Sequence, residues 1–293
     1  RATVAFTDDW KEDAARRDFT LNALSADPVT GEIFDYFGGL NDLQARRVRF
    51  IGEAEARIAE DHLRILRFFR FHARFGAGEP DAEALAACTA RANDLMALSR
   101  ERIADETLKL LGLPDPVPTV TIMLDRAILK PVLPEIDKSS LPALERLIAA
   151  EREAQIAADS VRRLAALLPP DAMLAEKIAV RLKLSNKARK RLAIAGTRDL
   201  GRNPQTLAYR VGTEGAIDRL LLAGDAAGAA SLAEWKVPRL PIGGGALIAR
   251  GVTEGPAVAR TLRTIEDQWV EAGFPAGNAF EKIVAGALAG EAR

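Results

Sequence analysis

The sequence has very little cysteine and no excess of charge of either sign. Cys88 is the single cysteine among 293 residues, so no disulfide can form within the chain, and the composition fits a reducing compartment such as the cytoplasm. Basic and acidic residues number 41 each, so any surface that attracts polyanions must be local. No apolar run in the sequence is long enough to cross a membrane.

Aromatic residues are also scarce, at 5% of the chain, whereas apolar residues of all kinds reach 48%. Because Ala and Leu supply much of that apolar content, the composition favours helices over sheets. A chain of 293 residues is long enough for about two domains. We expect a mostly α-helical, elongated protein with a small α/β part at its N-terminus.

The N-terminal 50 residues are the only part with strand character. The stretch "ATVAF" (2–6) predicts a strand, and 21–26 and 32–37 predict a hairpin around the turn sequence "DPVTGE". The first arm also fits a short helix, and "GGLNDL" reads as a loop. From about residue 53 the pattern is helical, with a continuous helix over 53–75, another helix from Asp81, and a third that is capped by Ser99 and ends at Gly112.

One acid and three arginines recur every three residues in "EDHLRILRFFR" (60–70), namely Asp61, Arg64, Arg67 and Arg70. On a continuous helix they would form a slanted stripe about two and a half turns long. An Asp beside an Arg presents an acceptor and a donor, which can match the edge of a nucleobase, and further arginines suit phosphates. The alternative is a surface ion pair of Asp61 and Arg64 that contributes about 0.2–0.5 kcal/mol.

A second charged stretch, "ARRDFTLNAL" (15–24), places Arg17 and Asp18 directly before an apolar run. In one interpretation Arg17 holds a phosphate and Asp18 accepts a hydrogen bond from a ribose hydroxyl. In the other, this is a solvated loop with a capping Asp.

Four motifs in order, "RRDFTLNAL", "DYFGGLNDL", "RFIG" and "EDHLRILRFFRF", resemble the bacterial tRNA nucleotidyltransferase and poly(A) polymerase family. The segment "LPIGGGALIARGVTEGPAVARTLRTIEDQWVEAG" near the C-terminus also resembles the end of that family's chains. The resemblance spans the whole chain and is densest over residues 14–75. It implies an enzyme that adds nucleotides to RNA 3′ ends, with a head that holds two metal ions, a neck that selects the nucleotide, and a helical body and tail that hold RNA.

The resemblance also implies roles for individual residues. Asp61 and Arg64 would read the Watson–Crick edge of an incoming CTP or ATP, with Glu60 orienting the arginine. Arg67 and Arg70 would continue toward the phosphates or the growing RNA end. Arg17 would contact the nucleotide, and Asp18 would lie near its ribose.

The sequence departs from the family at the metal site. The family holds Mg²⁺ on a paired Asp-x-Asp, and no two aspartates of this chain are separated by a single residue. Asp8 and Asp9 are adjacent and would point to opposite faces of a strand. We therefore expect no metal ligands in this chain, expect the N-terminal part of the head to be missing, and expect the chain to bind substrates without catalysis.

A basic stretch at 181–202 carries eight basic residues and one acid. Lys187, Arg189, Lys190 and Arg191 are candidates for contacts with a tRNA backbone. A solvated helix face is the alternative.

The sequence predicts four parts: a remnant head (1–50), a neck (51–112), a body (113–200) and a tail (201–293). CCA addition to tRNA from CTP and ATP is the favoured function. Poly(A) addition to RNA 3′ ends and a non-catalytic RNA-binding module are the alternatives.

Overall fold

A computed structural model describes residues 8–252 and 255–291 of the chain. The chain divides into two compact units, residues 1–149 with 157–196 and residues 150–156 with 197–293. The four-part division predicted from the sequence is finer than this and stays a prediction. The strand predicted at 2–6 lies outside the described residues.

Most of the chain is helical, which confirms the predicted fold class. In chain order the α-helices are α1 (Trp10–Ala15), α2 (Gly39–Gln44), α3 (Ala54–Glu60), α4 (Arg64–Phe75), α5 (Ala82–Ala90), α6 (Arg100–Leu111), α7 (Val117–Asp125), α8 (Leu141–Glu153), α9 (Ser160–Leu167), α10 (Ala172–Arg181), α11 (Asn186–Gly196), α12 (Pro204–Val211), α13 (Thr213–Leu222), α14 (Ala226–Ala230), α15 (Gly244–Ile248), α16 (Gly255–Glu271) and α17 (Gly277–Glu291). Short 3-10 helices lie at Thr20–Asn22, Ala92–Ala97 and Lys138–Ser140. Within residues 8–252 and 255–291, every helix is too short or too polar to cross a membrane.

The predicted hairpin forms, but its strands are short. Strands β1 (Ser25–Ala26) and β2 (Ile33–Phe34) pair antiparallel, with Ser25 opposite Phe34. The first arm begins as the 3-10 helix at Thr20–Asn22, so both interpretations of that arm are correct in part. The Asp27 carboxylate accepts the N–H groups of Val29 and Thr30 at 2.7 and 2.9 Å, which closes the turn.

The loop predicted at "GGLNDL" is wrong, because helix α2 begins there. The Asp35 carboxylate accepts the N–H groups of Gly39 and Leu40 at 2.8 and 2.9 Å, so it satisfies donors at the start of the helix. A Cβ on Gly39 would lie 2.3 Å from the carbonyl oxygen of Thr20. Glycine at this position therefore lets α2 approach the 20–21 backbone closely.

A cluster of phenylalanines packs the N-terminal segments of the first unit against helix α4. Phe19 and Phe50 form an antiparallel bridge, and their rings lie 4.9 Å apart. The Phe19 ring also lies 5.0 Å from Phe71 of α4, and the Phe50 ring lies 5.8 Å from Phe68 of the same helix. This packing presses the segment that carries Arg17 and Asp18 against α4.

Helix α6 begins and ends where the sequence predicts. The Ser99 hydroxyl accepts the N–H of Arg102 at 3.4 Å, and Gly112 follows the last helical residue. Its buried face includes Ile103, Glu106 and Leu110, so a carboxylate lies among apolar side chains. This helix packs beside α4 and brings charged groups to the site described below.

The second unit has a core of its own around Trp269. The Trp269 ring lies edge-on to Phe274 at 5.0 Å and to Tyr209 at 5.8 Å, and its indole N–H donates to the carbonyl of Pro275. The buried residues of this core are Leu247, Val252, Ala257, Ile265, Trp269, Val270, Phe280, Val284 and Ala287.

Candidate nucleotide-binding site

The helix predicted over 53–75 is interrupted at Asp61, which corrects the slanted stripe of four residues. Helix α3 ends at Glu60, Asp61 is extended (φ −153°, ψ 105°), and α4 begins at Arg64. The Asp61 Oδ1 atom accepts the N–H of Leu63 at 3.1 Å. Aspartate side chains that bond the backbone two residues on compete with the helical pattern, and that is the physical reason for the break.

A pocket of about 340 Å³ opens beside this break. Its volume lies at the lower end of the range for small-molecule sites. The lining residues are Arg17, Asp18, Asn22, Asp61, Leu63, Arg64, Arg67 and Arg102. Five of the seven residues that the sequence suggests for nucleotide binding are thus brought to one cavity, although the continuous helix that motivated the prediction does not exist.

Arg64 is firmly held by protein groups at the pocket. Its Nη1 donates to the Glu60 carboxylate at 2.6 Å and to the carbonyl of Arg57 at 2.9 Å, while Nη2 donates to the carbonyl of Arg16 at 3.2 Å. Only 13% of the side chain is exposed. The guanidinium plane is therefore fixed before any ligand arrives.

Glu60 does not line the pocket, but it holds two arginines there. Its carboxylate accepts from Arg57 Nη1 at 2.7 and 2.8 Å and from Arg64. Burial by itself would raise the pKa of Glu60, but the hydrogen bond from Arg64 and the charge of Arg57 outweigh it and hold the pKa below its ordinary value. The orienting role predicted for Glu60 stays a prediction, and this geometry is compatible with it.

Arg57 ties the two charged stretches together. Its Nη2 donates to the carbonyl of Arg17, while Arg64 bonds the carbonyl of Arg16. The backbone at 16–17 is thus anchored by two arginines that share Glu60. The sequence gives no sign of this link, because the partners lie 40 and 48 positions apart.

Asp18 is buried, with 5% of the residue exposed. Its Oδ1 accepts from the N–H of Phe19 at 3.0 Å and from the Asn22 amide at 2.8 Å, and Oδ2 accepts from Arg67 Nε at 2.5 Å. The Arg17 guanidinium bonds Asp13 at 3.1 Å and the carbonyl of Asn22 at 3.2 Å. The predicted contacts of Arg17 with a nucleotide and of Asp18 with a ribose stay predictions.

Arg67 and Arg70 meet a buried carboxylate that sequence reasoning missed. Glu106 on α6 is 3% exposed and accepts from Arg70 Nε at 2.5 Å, while Arg67 Nη1 lies 3.8 Å from its other oxygen. Arg70 does not line the pocket. Its guanidinium carbon lies 4.8 Å from the centre of the Phe71 ring. The predicted contacts of these two arginines with phosphates stay predictions, and each already has a carboxylate partner.

Arg102 is a further pocket residue that sequence reasoning missed. Its Nη2 donates to Asp61 Oδ2 at 2.7 Å across 41 positions of the chain. Glu106 leaves a sequence signal, because an acid at a helical spacing shared with Ile103 and Leu110 indicates a buried ion pair. Arg102, on the exposed face of α6, leaves none.

The residues around the pocket do not suit a metal ion. Among residues 8–252 and 255–291 there is no group of three or more His, Cys, Asp and Glu side chains placed to hold one. The pocket lining has four arginines and two aspartates, and both aspartates already accept from arginines. The pocket therefore offers no fitting ligand set for the magnesium ion that the family resemblance implies.

The basic residues of α11 divide into two kinds. Lys187 and Lys190 are exposed. Arg191 is 11% exposed and donates to Asp159 at 2.8 Å, and Arg189 Nε lies 3.9 Å from Glu176. Burial alone would raise the pKa of Asp159, but hydrogen bonds from the Arg162 N–H and from Arg191 hold that pKa below its ordinary value. The predicted RNA contacts of all four residues stay predictions.

Comparison with known proteins adds sequence relatives. A family model described as "Poly A polymerase head domain" matches residues 1–49, and one described as "Probable RNA and SrmB- binding site of polymerase A" matches residues 79–139. The mitochondrial CCA tRNA nucleotidyltransferase 1 of Mus musculus is 30% identical over 297 aligned positions, which cover 93% of this chain and 66% of the mouse protein. The chain thus spans just under two thirds of that relative's length.

Solved structures share the fold. The CCA-adding enzyme of Bacillus stearothermophilus in complex with CTP superposes with a TM-score of 0.74 at 24% identity, over 98% of this chain and 77% of that one. The Thermotoga maritima CCA-adding enzyme complexed with tRNA gives a TM-score of 0.68 at 21% identity, over 96% of this chain and 74% of that one. The four sequence motifs, the two family models, the likeness to the mouse protein and this shared fold agree, and the chain belongs to the family of tRNA nucleotidyltransferases and poly(A) polymerases.

Proposed function

We propose that this chain provides the nucleotide-selecting pocket and RNA-binding helices of an enzyme that adds CCA to tRNA 3′ ends from CTP and ATP. The observation that carries the proposal is the fixed guanidinium of Arg64 beside the carboxylate of Asp61 on one pocket. The relatives and the structures of similar fold, whose names include CCA addition, CTP and tRNA, support the choice of reaction.

The pair can distinguish the bases by the direction of their hydrogen bonds. Cytosine and adenine each present an exocyclic amino group beside a ring nitrogen acceptor, whereas uracil and guanine present a carbonyl oxygen beside a ring N–H. Asp61 accepts from the amino group and Arg64 donates to the ring nitrogen, so both partners are satisfied by C and A alone. A site with fixed polar groups rejects the mismatched base because those groups would stay unpaired.

Arg64 has donors left for this task. A guanidinium carries five N–H groups, and three of those of Arg64 are accepted by Glu60 and by the carbonyls of Arg57 and Arg16. Among the residues that the structure describes, the other two have no acceptor. Asp61 likewise uses one lone pair of each oxygen for protein donors, which leaves acceptor capacity.

The remaining arginines and the basic helix take supporting roles in this proposal. Arg17, half exposed at the pocket, contacts the triphosphate, and Asp18 lies beside the ribose. Arg67 and Arg70 contribute positive potential from positions already paired with carboxylates. Lys187 and Lys190 contact the tRNA backbone, with Arg189 and Arg191 contributing less because their guanidiniums face Glu176 and Asp159.

We propose further that the 293 residues bind nucleotide without adding it to RNA. The sequence has no Asp-x-Asp pair, and that pair is the metal-binding motif the family resemblance implies. Addition of labelled CTP or ATP to tRNA by the purified chain would contradict this part of the proposal. It would leave the proposed nucleotide selection standing.

The test of nucleotide selection is the affinity of the 293-residue chain for CTP, ATP, GTP and UTP, measured by calorimetry. We expect CTP and ATP to bind more tightly than UTP and GTP, and we expect Asp61→Ala or Arg64→Ala to remove the preference. Arg74→Ala, on the exposed face of the same helix, is the matched control and should change nothing. Equal affinity of the wild-type chain for all four nucleotides would overturn the proposal.

A second candidate, poly(A) addition, is favoured by the description of the model that matches residues 1–49. The same measurement separates the two, because a poly(A) polymerase needs ATP alone. Binding of ATP with no binding of CTP would favour the second candidate. RNA binding without selection among nucleotides would favour the non-catalytic module.

A further inference from the structure

Arg102 is the one pocket arginine to which the family resemblance assigns no role. It reaches the pocket from α6, and its Nη2 donates to Asp61 Oδ2 at 2.7 Å. Asp61 itself lies in the break between α3 and α4, where its carbonyl accepts the N–H of Arg64 at 3.0 Å but the residue belongs to neither helix. The side chain that the proposed function uses to read a base therefore depends on other groups for its orientation.

Two donors bond the Asp61 carboxylate, one at each oxygen. The N–H of Leu63 donates to Oδ1 at 3.1 Å, and Arg102 donates to Oδ2. The first bond alone leaves the carboxylate free to rock about its terminal torsion, which has a broad energy minimum. The second bond removes that freedom, and the two unused lone pairs then have a set direction into the pocket.

We propose that Arg102 is a positioning residue that sets the orientation of the Asp61 carboxylate and thereby the selection of cytosine and adenine over uracil and guanine. This inference rests on the proposed function. It makes α6 part of the selecting apparatus, although Arg102 lies 41 positions beyond Asp61 in the sequence. The arrangement is comparable to a metal ligand that is oriented by an outer partner, with a base in the place of the metal.

The size of the effect follows from exposure. The side chains of Arg102 and Asp61 are 48% and 33% exposed, so water weakens their attraction. We expect Arg102→Gln to lower the ratio of CTP to UTP affinity about fivefold, the upper end for an exposed ion pair. Arg102→Lys keeps a charged donor and should recover most of the ratio.

The experiment measures CTP and UTP affinities for the wild-type chain, Arg102→Gln, Arg102→Lys, Asp61→Asn, and the double variant of Arg102→Gln with Asp61→Asn. Lys177→Gln is the matched control, since it removes the same charge from an exposed position on α10. We expect Arg102→Gln to have no further effect on the ratio in the Asp61→Asn background, because its effect runs through that carboxylate.

Each other outcome has a distinct meaning. An equal loss of affinity for both nucleotides in Arg102→Gln would show that Arg102 adds only positive charge, which would overturn the inference. Additive effects of the two substitutions on the ratio would overturn it as well. A wild-type chain that does not discriminate between CTP and UTP would instead overturn the proposed function itself.

Discussion

The pocket beside α4 and the basic helix α11 both collect cations, but they hold them in different ways. At the pocket, Arg64 and Arg67 are largely covered and are bonded to carboxylates or backbone carbonyls. On α11, Lys187 and Lys190 extend from an exposed surface. Fixed guanidiniums suit a ligand that must be recognised by its shape, whereas exposed ammonium groups suit a backbone of repeating phosphates.

The largest effect should come from the removal of Glu106, the buried carboxylate that pairs with Arg67 and Arg70. Glu106→Ala leaves Arg70 and part of Arg67 without a partner in a buried setting, so we expect the free energy of unfolding to fall by about 3 kcal/mol. Urea denaturation measures this. Glu101→Ala on the exposed face of α6, where Lys183 is the partner at 2.8 Å, should change the free energy of unfolding very little, because water screens that pair. Similar losses for the two variants would mean that burial does not strengthen the ion pairs of Glu106 with Arg67 and Arg70.

Glu60→Gln should have the next largest effect, on binding rather than on stability. It removes the charge that holds Arg57 and Arg64, but the carbonyl partners of Arg64 remain. Because half of the Glu60 side chain is exposed, we expect CTP to bind about fivefold more weakly, a change of about 1 kcal/mol. Glu55→Gln, exposed on the same helix, is the control. Unchanged CTP affinity in Glu60→Gln would show that the orientation of Arg64 depends on the carbonyls alone.

Substitution of the lysines of α11 should change the salt dependence of tRNA binding. If each contacts one phosphate of tRNA, replacing Lys187 and Lys190 together with Gln lowers the slope of log K against log salt by about 1.8 at most. Nucleotide affinity should stay the same. The control replaces Lys130 and Lys177, which are exposed elsewhere in the same unit. A loss of nucleotide affinity in the α11 variant would contradict the separation of the two regions.

The smallest effect concerns the pH dependence of stability that arises from Asp159, the partner of Arg191 on α11. The pKa of Asp159 is held below its ordinary value, so its contribution to stability is complete above the ordinary pKa of 3.8 and is lost as the pH falls through the lower folded value. Asp159→Asn keeps a side-chain acceptor for the start of α9 but removes the charge. We therefore expect the stability gap between wild type and variant to close as the pH is lowered below the ordinary pKa of 3.8 in denaturation experiments. A gap that stays constant over this range would contradict the assignment.

Much of the fold could be predicted from the sequence, and so could most of the residues that line the pocket. The Ala- and Leu-rich composition predicts the helices, and Ser99 and Gly112 mark the ends of α6. The charged motifs bring Arg17, Asp18, Asp61, Arg64 and Arg67 to one cavity. The helix break at Asp61 was missed because three-residue spacing counts positions on a helix and ignores an aspartate whose side chain bonds the N–H two residues on.

The partners of the pocket residues could not be predicted in the same way. Arg102 and Arg57 reach the site through tertiary contacts that cross about 40 positions, and no local pattern encodes such distances. Asp35, which starts helix α2 by accepting two N–H groups, precedes a pair of glycines that by propensity alone predict a loop. Arg57 and Asp35 act through side-chain bonds to the backbone, whereas Arg102 acts through a side-chain bond to Asp61.

Those backbone bonds also bear on how the site tolerates substitution. Arg57 and Arg64 hold the 16–17 segment through its carbonyl oxygens, which every amino acid possesses. The side chains of Arg16 and Arg17 bond Glu12 and Asp13 on α1 and take no part in that anchor. This carbonyl anchor is thus independent of which side chains residues 16 and 17 carry, so an exchange at either position keeps the anchor and loses only the bonds of that side chain to Glu12, or to Asp13 and the Asn22 carbonyl.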